Sequence, residues 1–323
     1  MTAYRLLMLP PQDEVTLAWA EALARDVPAA EIVVAMDDQE AHKLITSADA
    51  SYGTITTALL THAGRLRWLQ APAAAPPAGY FFAELVEHPV IVTNLRGIYN
   101  DHVATHAMAL VLALARGLHH YVPTQAEGRW EPNRTAGAVI HLPEATMLIV
   151  GLGGIGTEIA RMARVFGMRI VATDARLATT PEEVDDLRDP SQLDALLPNA
   201  DVVVLTIPHT PETEGLIDSQ RLGLMKRTAV LVNIGRGKTV RLDDLVGALS
   251  RGTIAGAGLD VYEIEPLPPD HPLWTAPNVI LTPHTAVAGP YVEERRYSVL
   301  VENARRFATG DELLNVVDKA RWF

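Results

Sequence analysis

"TMLIVGLGGIGTEIARMARVFGMRIVATD", residues 146–174, changes periodicity three times. An apolar run (146–150) gives way to Gly151, Gly153 and Gly156 in GxGxxG spacing, then to helix-like "TEIARMARVFG" (157–167) and a second apolar run, "MRIVAT" (168–173). A lone GxGxxG carries little, because glycine-rich turns are common. Between a strand and a helix it carries a mechanism. Gly151 permits the tight turn, Gly153 lets a pyrophosphate approach the backbone, and Gly156 lets the helix pack on the strand. Amides at the helix start then face the phosphates, where the helix dipole favours negative charge. Asp174, eighteen residues after Gly156, ends the second strand near the place of an acid that binds ribose hydroxyls. The stretch predicts a dinucleotide site. Asp174 repels a 2′-phosphate and so favours NAD, while Arg176 keeps NADP open.

The same alternation runs outward in both directions. Upstream, the strand-like runs are 4–9, 31–36, 50–55, 66–70 and 89–94; downstream they continue with 201–207, 229–234, 255–261 and 278–282. The later runs are continuously apolar, as strands covered on both faces should be. Helix-like segments such as "LDDLVGALSRG" (242–252) supply crossovers. Strand, crossover, strand, repeated in two series, indicates an α/β chain with two doubly wound parallel-sheet domains. Residues 101–121 read as one long helix between the series, with Asp101 as N-cap. The last segment follows a completed second series and is expected to return to the first. The expected division is therefore 1–100 with 290–323, and 101–289.

Composition narrows the function classes. With 27 basic and 39 acidic residues the formal charge is −12, which disfavours non-specific contact with nucleic acid or an anionic membrane. Cysteine is absent, so thiol nucleophiles, disulfides and thiolate metal sites are excluded. "HVATHAMALVLALARG" (102–117) is the longest apolar helical stretch and falls short of the ~18 apolar residues of a membrane span. "MTAYRLLMLPPQDEV" lacks the basic start and long apolar core of a secretory signal. A soluble, cytoplasmic protein is expected. Adjacent His119 and His120 point apart on a helix and no HExxH occurs, so no metal site is expected.

Ligands of open α/β sheets bind outside the carboxyl ends of the strands. Three polar residues fall there: Arg236 in "LVNIGRGKTV", Glu265 in "LDVYEIEPLP" and His284 in "ILTPHTA". Each alone reads as a solvated or structural residue. Together on a cofactor domain they form a constellation with a chemical purpose. Hydride exchange at a carbonyl carbon requires a proton at the oxygen, and histidine titrates near neutrality. A carboxylate such as Glu265 fixes its tautomer. A guanidinium such as Arg236 grips a substrate carboxylate in a fork.

With "VGLGGIG" and Asp174, "NIGRG", "GLDVYEIEPLP" and "TPHTA", the sequence resembles the D-isomer-specific 2-hydroxyacid dehydrogenase family over nearly its whole length; "LTIPHTPETEGLID" (205–218) and "VTNLRGI" (92–98) add to it. The resemblance implies a central Rossmann NAD-binding domain, a discontinuous flavodoxin-like substrate domain and a homodimer. It implies a 2-keto acid reductase acting between NAD(H) and a small 2-keto or D-2-hydroxy acid. His284 would be the acid/base, Glu265 its tuning partner and Arg236 the substrate anchor. Gly154 and Ile155 of the glycine loop, Thr206, Ile207, Pro208 and Ile234 would line the cofactor, with Asp260 near the nicotinamide.

Two departures from the family are visible. The loop after "WLQ" reads "APAAAPPAG" (71–79), placing Ala74 and Ala75 where the family has Ala-Gly amides for the substrate carboxylate. Alanine resists positive φ and the prolines at 76 and 77 have no amide, so an unusual substrate is expected. Thr105 stands where many members carry Glu. Two other readings stay open: formate or phosphite oxidation on this scaffold, disfavoured by Glu265 where formate-type members have Gln, and a non-catalytic NAD-sensing adaptor. His102 and His106, four apart on one helix face, read as packing residues, with a place at the border of the substrate cleft as the alternative.

Overall fold

The computed structural model describes residues 3–74, 79–132, 139–176 and 179–321. The chain forms two compact units, Met1–Ile98 with Gly289–Phe323, and Tyr99–Ala288.

In the first unit the order is β1 (Tyr4–Met8), α1 (Glu14–Asp26), β2 (Ala30–Val34), α2 (Asp38–Leu44), β3 (Ala50–Tyr52), α3 (Thr57–Leu60), β4 (Trp68–Gln70), α4 (Ala83–Glu87) and β5 (Ile91–Thr93). The strands are parallel, in the order β2-β1-β3-β4-β5, a flavodoxin-like arrangement. Alternate residues of β1 feed opposite faces. Leu7 packs with Leu59, Leu69 and Leu85 on one, Leu6 and Met8 with Leu23 and Leu300 on the other. Leu300 comes from the C-terminal helix Val292–Thr309. That segment is also tied to the sheet by buried polar groups. Trp68 Nε1 donates to Thr93 Oγ1 (2.8 Å), Thr93 Oγ1 to Gln70 Oε1 (2.8 Å), and Asn303 Nδ2 to the same oxygen (3.0 Å).

The second unit runs α5 (Asn100–Ala115), α6 (Leu118–Ala126), β6 (Thr146–Val150), α7 (Gly154–Val165), β7 (Arg169–Thr173), β8 (Asp186–Arg188), α8 (Leu193–Leu196), β9 (Val202–Leu205), α9 (Ser219–Leu224), β10 (Val230–Asn233), α10 (Leu242–Ser250), β11 (Gly256–Leu259) and β12 (Val279–Leu281). Its seven parallel strands lie in the order β12-β11-β10-β9-β6-β7-β8, so β6 pairs with β9 where the winding reverses. This is the Rossmann order with one added strand. Strand β9 is wholly inaccessible, which is why its sequence is continuously apolar.

The predicted helix over 101–121 is in fact two. Gly117 adopts φ 68° and separates α5 from α6, a conformation open to glycine at no steric cost. Asp101 is not the N-cap. Tyr99 holds that position, and Asp101 lies in the first turn, where its charge still meets the helix dipole. Strand β8, "DLR", was not foreseen: a short edge strand with charges at both ends has no apolar run to betray it. No helix among the described residues is long and apolar enough to cross a membrane.

Candidate active site

The glycine loop leaves β6 at Gly151, with φ 96°. A Cβ there would stand 2.7 Å from Ile207 Cγ2, and one on Gly156 would fall on the Gly151 carbonyl oxygen. Gly153 is different: a Cβ would meet only Arg176 Nη2, at 3.7 Å. Helix α7 begins at Gly154 with Gly153 as N-cap, a residue with no side chain to cap the helix. A close-packed glycine turn at a helix start, without a capping side chain, is the kind of cradle that suits a pyrophosphate. The residues present fit a dinucleotide.

Neighbouring segments hold that cradle. Thr206, just past β9, donates its hydroxyl to the Gly151 carbonyl and its amide to Val150 O (3.0 Å). Ile207 and Pro208 follow it, Ile155 packs on the core from α7, and Ile234 is buried just past β10. Asp174 accepts from the Leu152 amide (2.9 Å) and the Arg176 amide (2.8 Å), so the acid expected to meet the ribose also shapes the loop. Arg176 Nε lies 3.8 Å from Asp174 Oδ1.

Strands β10, β11 and β12 are neighbours, and Arg236, Glu265 and His284 lie in the loops that follow them. His284 Nδ1 is 2.7 Å from Glu265 Oε2. A carboxylate can only accept, so Nδ1 carries the hydrogen and Nε2 is left as the exchange position. Glu265 Oε1 accepts from the Tyr262 amide (2.9 Å), which fixes the carboxylate in turn. The His284 and Glu265 side chains remain 45% and 35% exposed, accessible to a substrate. Arg236 reaches the same edge but is not joined to the pair; its Nη1 donates to the Gly235 carbonyl (2.7 Å).

His284 itself has φ 51°, a left-handed conformation that strains a residue with a Cβ. Its amide donates to Asp260 O (2.8 Å) and Thr282 O (3.0 Å). The Asp260 side chain, only 1% exposed, accepts from the Thr285 amide (2.9 Å), the Ala286 amide (2.9 Å) and Thr282 Oγ1 (2.6 Å). Asp260, expected near a nicotinamide, is thus the brace of the histidine loop. Tyr262 donates its hydroxyl to Thr282 O (2.9 Å). Burial, with the Asp260 charge, pushes that phenol up to about 12, so it remains a donor at neutral pH. His106 Nε2 lies 2.9 Å from Thr282 Oγ1 and 3.6 Å from Asp260 Oδ1.

Sequence reasoning passed over Thr282 and Tyr262 and read His106 as a packing residue. His106 was the one with a signal, a polar residue on an otherwise apolar helix stretch, but its partner is 176 residues away. In the first unit, the Ala74 carbonyl accepts from Asn94 Nδ2 (2.8 Å), and Arg296 Nη2 donates to Pro72 O (2.8 Å). Ala75 lies outside the described residues, with Pro76 and Pro77. Thr105 is exposed.

Residues 108–286 match a family model described as D-isomer specific 2-hydroxyacid dehydrogenase, NAD binding domain. A glyoxylate reductase of Korarchaeum cryptofilum (strain OPF8) is 39% identical over 241 residues, covering 73% of this chain and 71% of that one. A D-isomer specific 2-hydroxyacid dehydrogenase family protein from Aeromonas salmonicida subsp. salmonicida A449 is 31% identical, with a TM-score of 0.81 over 98% of this chain and 100% of the other. A D-isomer specific 2-hydroxyacid dehydrogenase from Xanthobacter autotrophicus Py2, solved with NADPH and MES, is 27% identical, with a TM-score of 0.85 over 99% and 100%.

Proposed function

The chain belongs to the D-isomer specific 2-hydroxyacid dehydrogenase family, and from that premise we propose that it interconverts a small 2-keto acid and the D-2-hydroxy acid with NAD(H), His284 serving as general acid/base. The observation that carries the reading is the 2.7 Å contact between His284 Nδ1 and Glu265 Oε2, which leaves Nε2 to exchange a proton with a substrate oxygen. Glu265 holds the ring and stabilises the imidazolium formed when the alcohol is oxidised. Arg236, released from the Gly235 carbonyl, grips the substrate carboxylate and polarises the carbonyl.

When bound, the nicotinamide supplies or takes up the hydride. Gly151, Gly153, Gly154, Ile155 and Gly156 are assigned to the pyrophosphate, Asp174 to the ribose, and Thr206, Ile207, Pro208, Ile234 and Asp260 to the rest of the cofactor. Asp174 favours NAD. The Arg176 guanidinium near Gly153 gives NADP a counter-charge.

A panel of glyoxylate, hydroxypyruvate, pyruvate and a bulkier 2-keto acid, run with NADH and NADPH in parallel, tests the reading. Oxidation of the cofactor by at least one acid is expected. Intact NADH binding with no turnover across the panel overturns it in favour of a sensing adaptor. Turnover with formate or phosphite alone overturns it in favour of those oxidations.

A further inference from the structure

We propose that His106 is a positioning residue for His284: it fixes the direction of the Thr282 hydroxyl and, through it, the Asp260 carboxylate that braces the histidine loop. The inference rests on His284 being the proton donor.

Hydrogen-bond direction is settled by what each group can donate. Thr282 has one hydroxyl hydrogen, and Asp260 Oδ1, at 2.6 Å, can only accept it. The rival acceptor, the Leu259 carbonyl, is farther away at 3.4 Å and uncharged. With its hydrogen committed to Asp260, Thr282 Oγ1 has only lone pairs for His106 Nε2 at 2.9 Å, so that nitrogen must carry a hydrogen. The bonds run one way, from His106 to Thr282 to Asp260.

The loop needs this direction. His284 sits at φ 51°, a left-handed conformation that strains a residue with a Cβ and persists only if its surroundings over-determine it. Asp260 supplies that constraint through bonds from Thr282 Oγ1 and the amides of Thr285 and Ala286, while its carbonyl takes the His284 amide. Without His106, the Thr282 hydroxyl is free to turn to the Leu259 carbonyl, and Asp260 loses its shortest bond. His106 is itself held in place because Val103, Ala107 and Leu110 on the same helix are buried. It touches no reacting atom and acts only through its neighbours.

Two measurements test this. In the first, the ring nitrogens of His106 are observed by ¹⁵N NMR, which needs no turnover. A hydrogen-bonded proton on Nε2 is expected in the wild type, with its signal changed in Thr282→Val and retained in Thr282→Ser. A ring protonated at Nδ1 alone overturns the proposal, whatever becomes of the proton-donor assignment. The second measurement is kinetic. His106→Phe and Thr282→Val should each lower kcat about tenfold, the scale of one charge-assisted bond, with NADH affinity and KM little changed. His106→Gln, which keeps an N–H, should recover most of the loss. The double variant should be no slower than the worse single one. Additive losses, or wild-type kcat in Thr282→Val, overturn the proposal. If His106→Phe does not fold, the Gln, Val and Ser variants read the same chain of bonds.

Discussion

The backbone amide of His284 donates to the carbonyl of Asp260, 2.8 Å away, the first residue beyond the neighbouring strand β11. The backbone that carries the imidazole is therefore placed by main-chain bonds, independently of the ring. Removing the ring should leave the glycine loop undisturbed. His284→Ala is expected to lower turnover about 10²–10⁴-fold, the range of general acid/base catalysis, with NADH binding unchanged by fluorescence titration. Wild-type turnover in this variant removes the histidine from the mechanism.

Gly156→Ala tests the cradle. Alanine ordinarily stabilises a helix over glycine by about 1 kcal/mol. Here its Cβ would meet the Gly151 carbonyl, and overpacking of that kind costs about 1–3 kcal/mol. We expect a lower melting temperature and NADH affinity reduced tenfold or more, read by calorimetry. Gains in stability with full affinity would show that the turn has room.

Asp174→Ala removes the charge that opposes a 2′-phosphate and frees the Leu152 amide. The ratio of NADPH to NADH efficiency should rise by about tenfold, the effect of roughly 1.4 kcal/mol. Arg176→Ala should move it the other way. Steady-state kinetics with both cofactors measure the two shifts, and a fixed ratio in both variants would dismiss these residues as selectors.

Alkaline stability follows from buried phenols. Burial raises Tyr4 and Tyr80 above the ordinary 10.0 and raises Tyr262 to about 12. Folding thus favours the protonated phenol, a contribution fully present below pH about 10 and lost as pH climbs through the folded-state values. Urea midpoints should fall steadily above pH about 10, less steeply in Tyr262→Phe. Identical alkaline slopes for the two proteins would contradict a protonated Tyr262 as a source of stability.

Much of this was readable because burial on both faces writes itself into composition. The runs at 146–150, 168–173 and 201–207 are apolar without alternation since β6, β7 and β9 lie inside the sheet. The Glu265–His284 contact was legible because both residues follow adjacent strands at one edge. Arg236 shares the edge, but its turn toward Gly235 depends on a local carbonyl that no spacing reveals. The break at Gly117 was hidden because Leu118, Tyr121 and Val122 continue the helical spacing of Leu114 beyond it. His106 was the harder case: a histidine on a packed helix looks like filler until the distant threonine it bonds is known.

The chain leaves the first unit at Ile98 and re-enters it at Gly289, so the second is an insertion. During synthesis this inverts the usual order, in which the segment made first folds first. Strand β5 waits for Val316 to form its bridge with Thr93, and the Gln70 side chain waits for Asn303. The inserted unit can complete itself while its host is still unfinished. Late-emerging residues therefore decide when the earlier-made sheet is sealed, and a ribosome stalled before them would display β4 and β5 without the Asn303 bond to Gln70 or the Val316 bridge to Thr93.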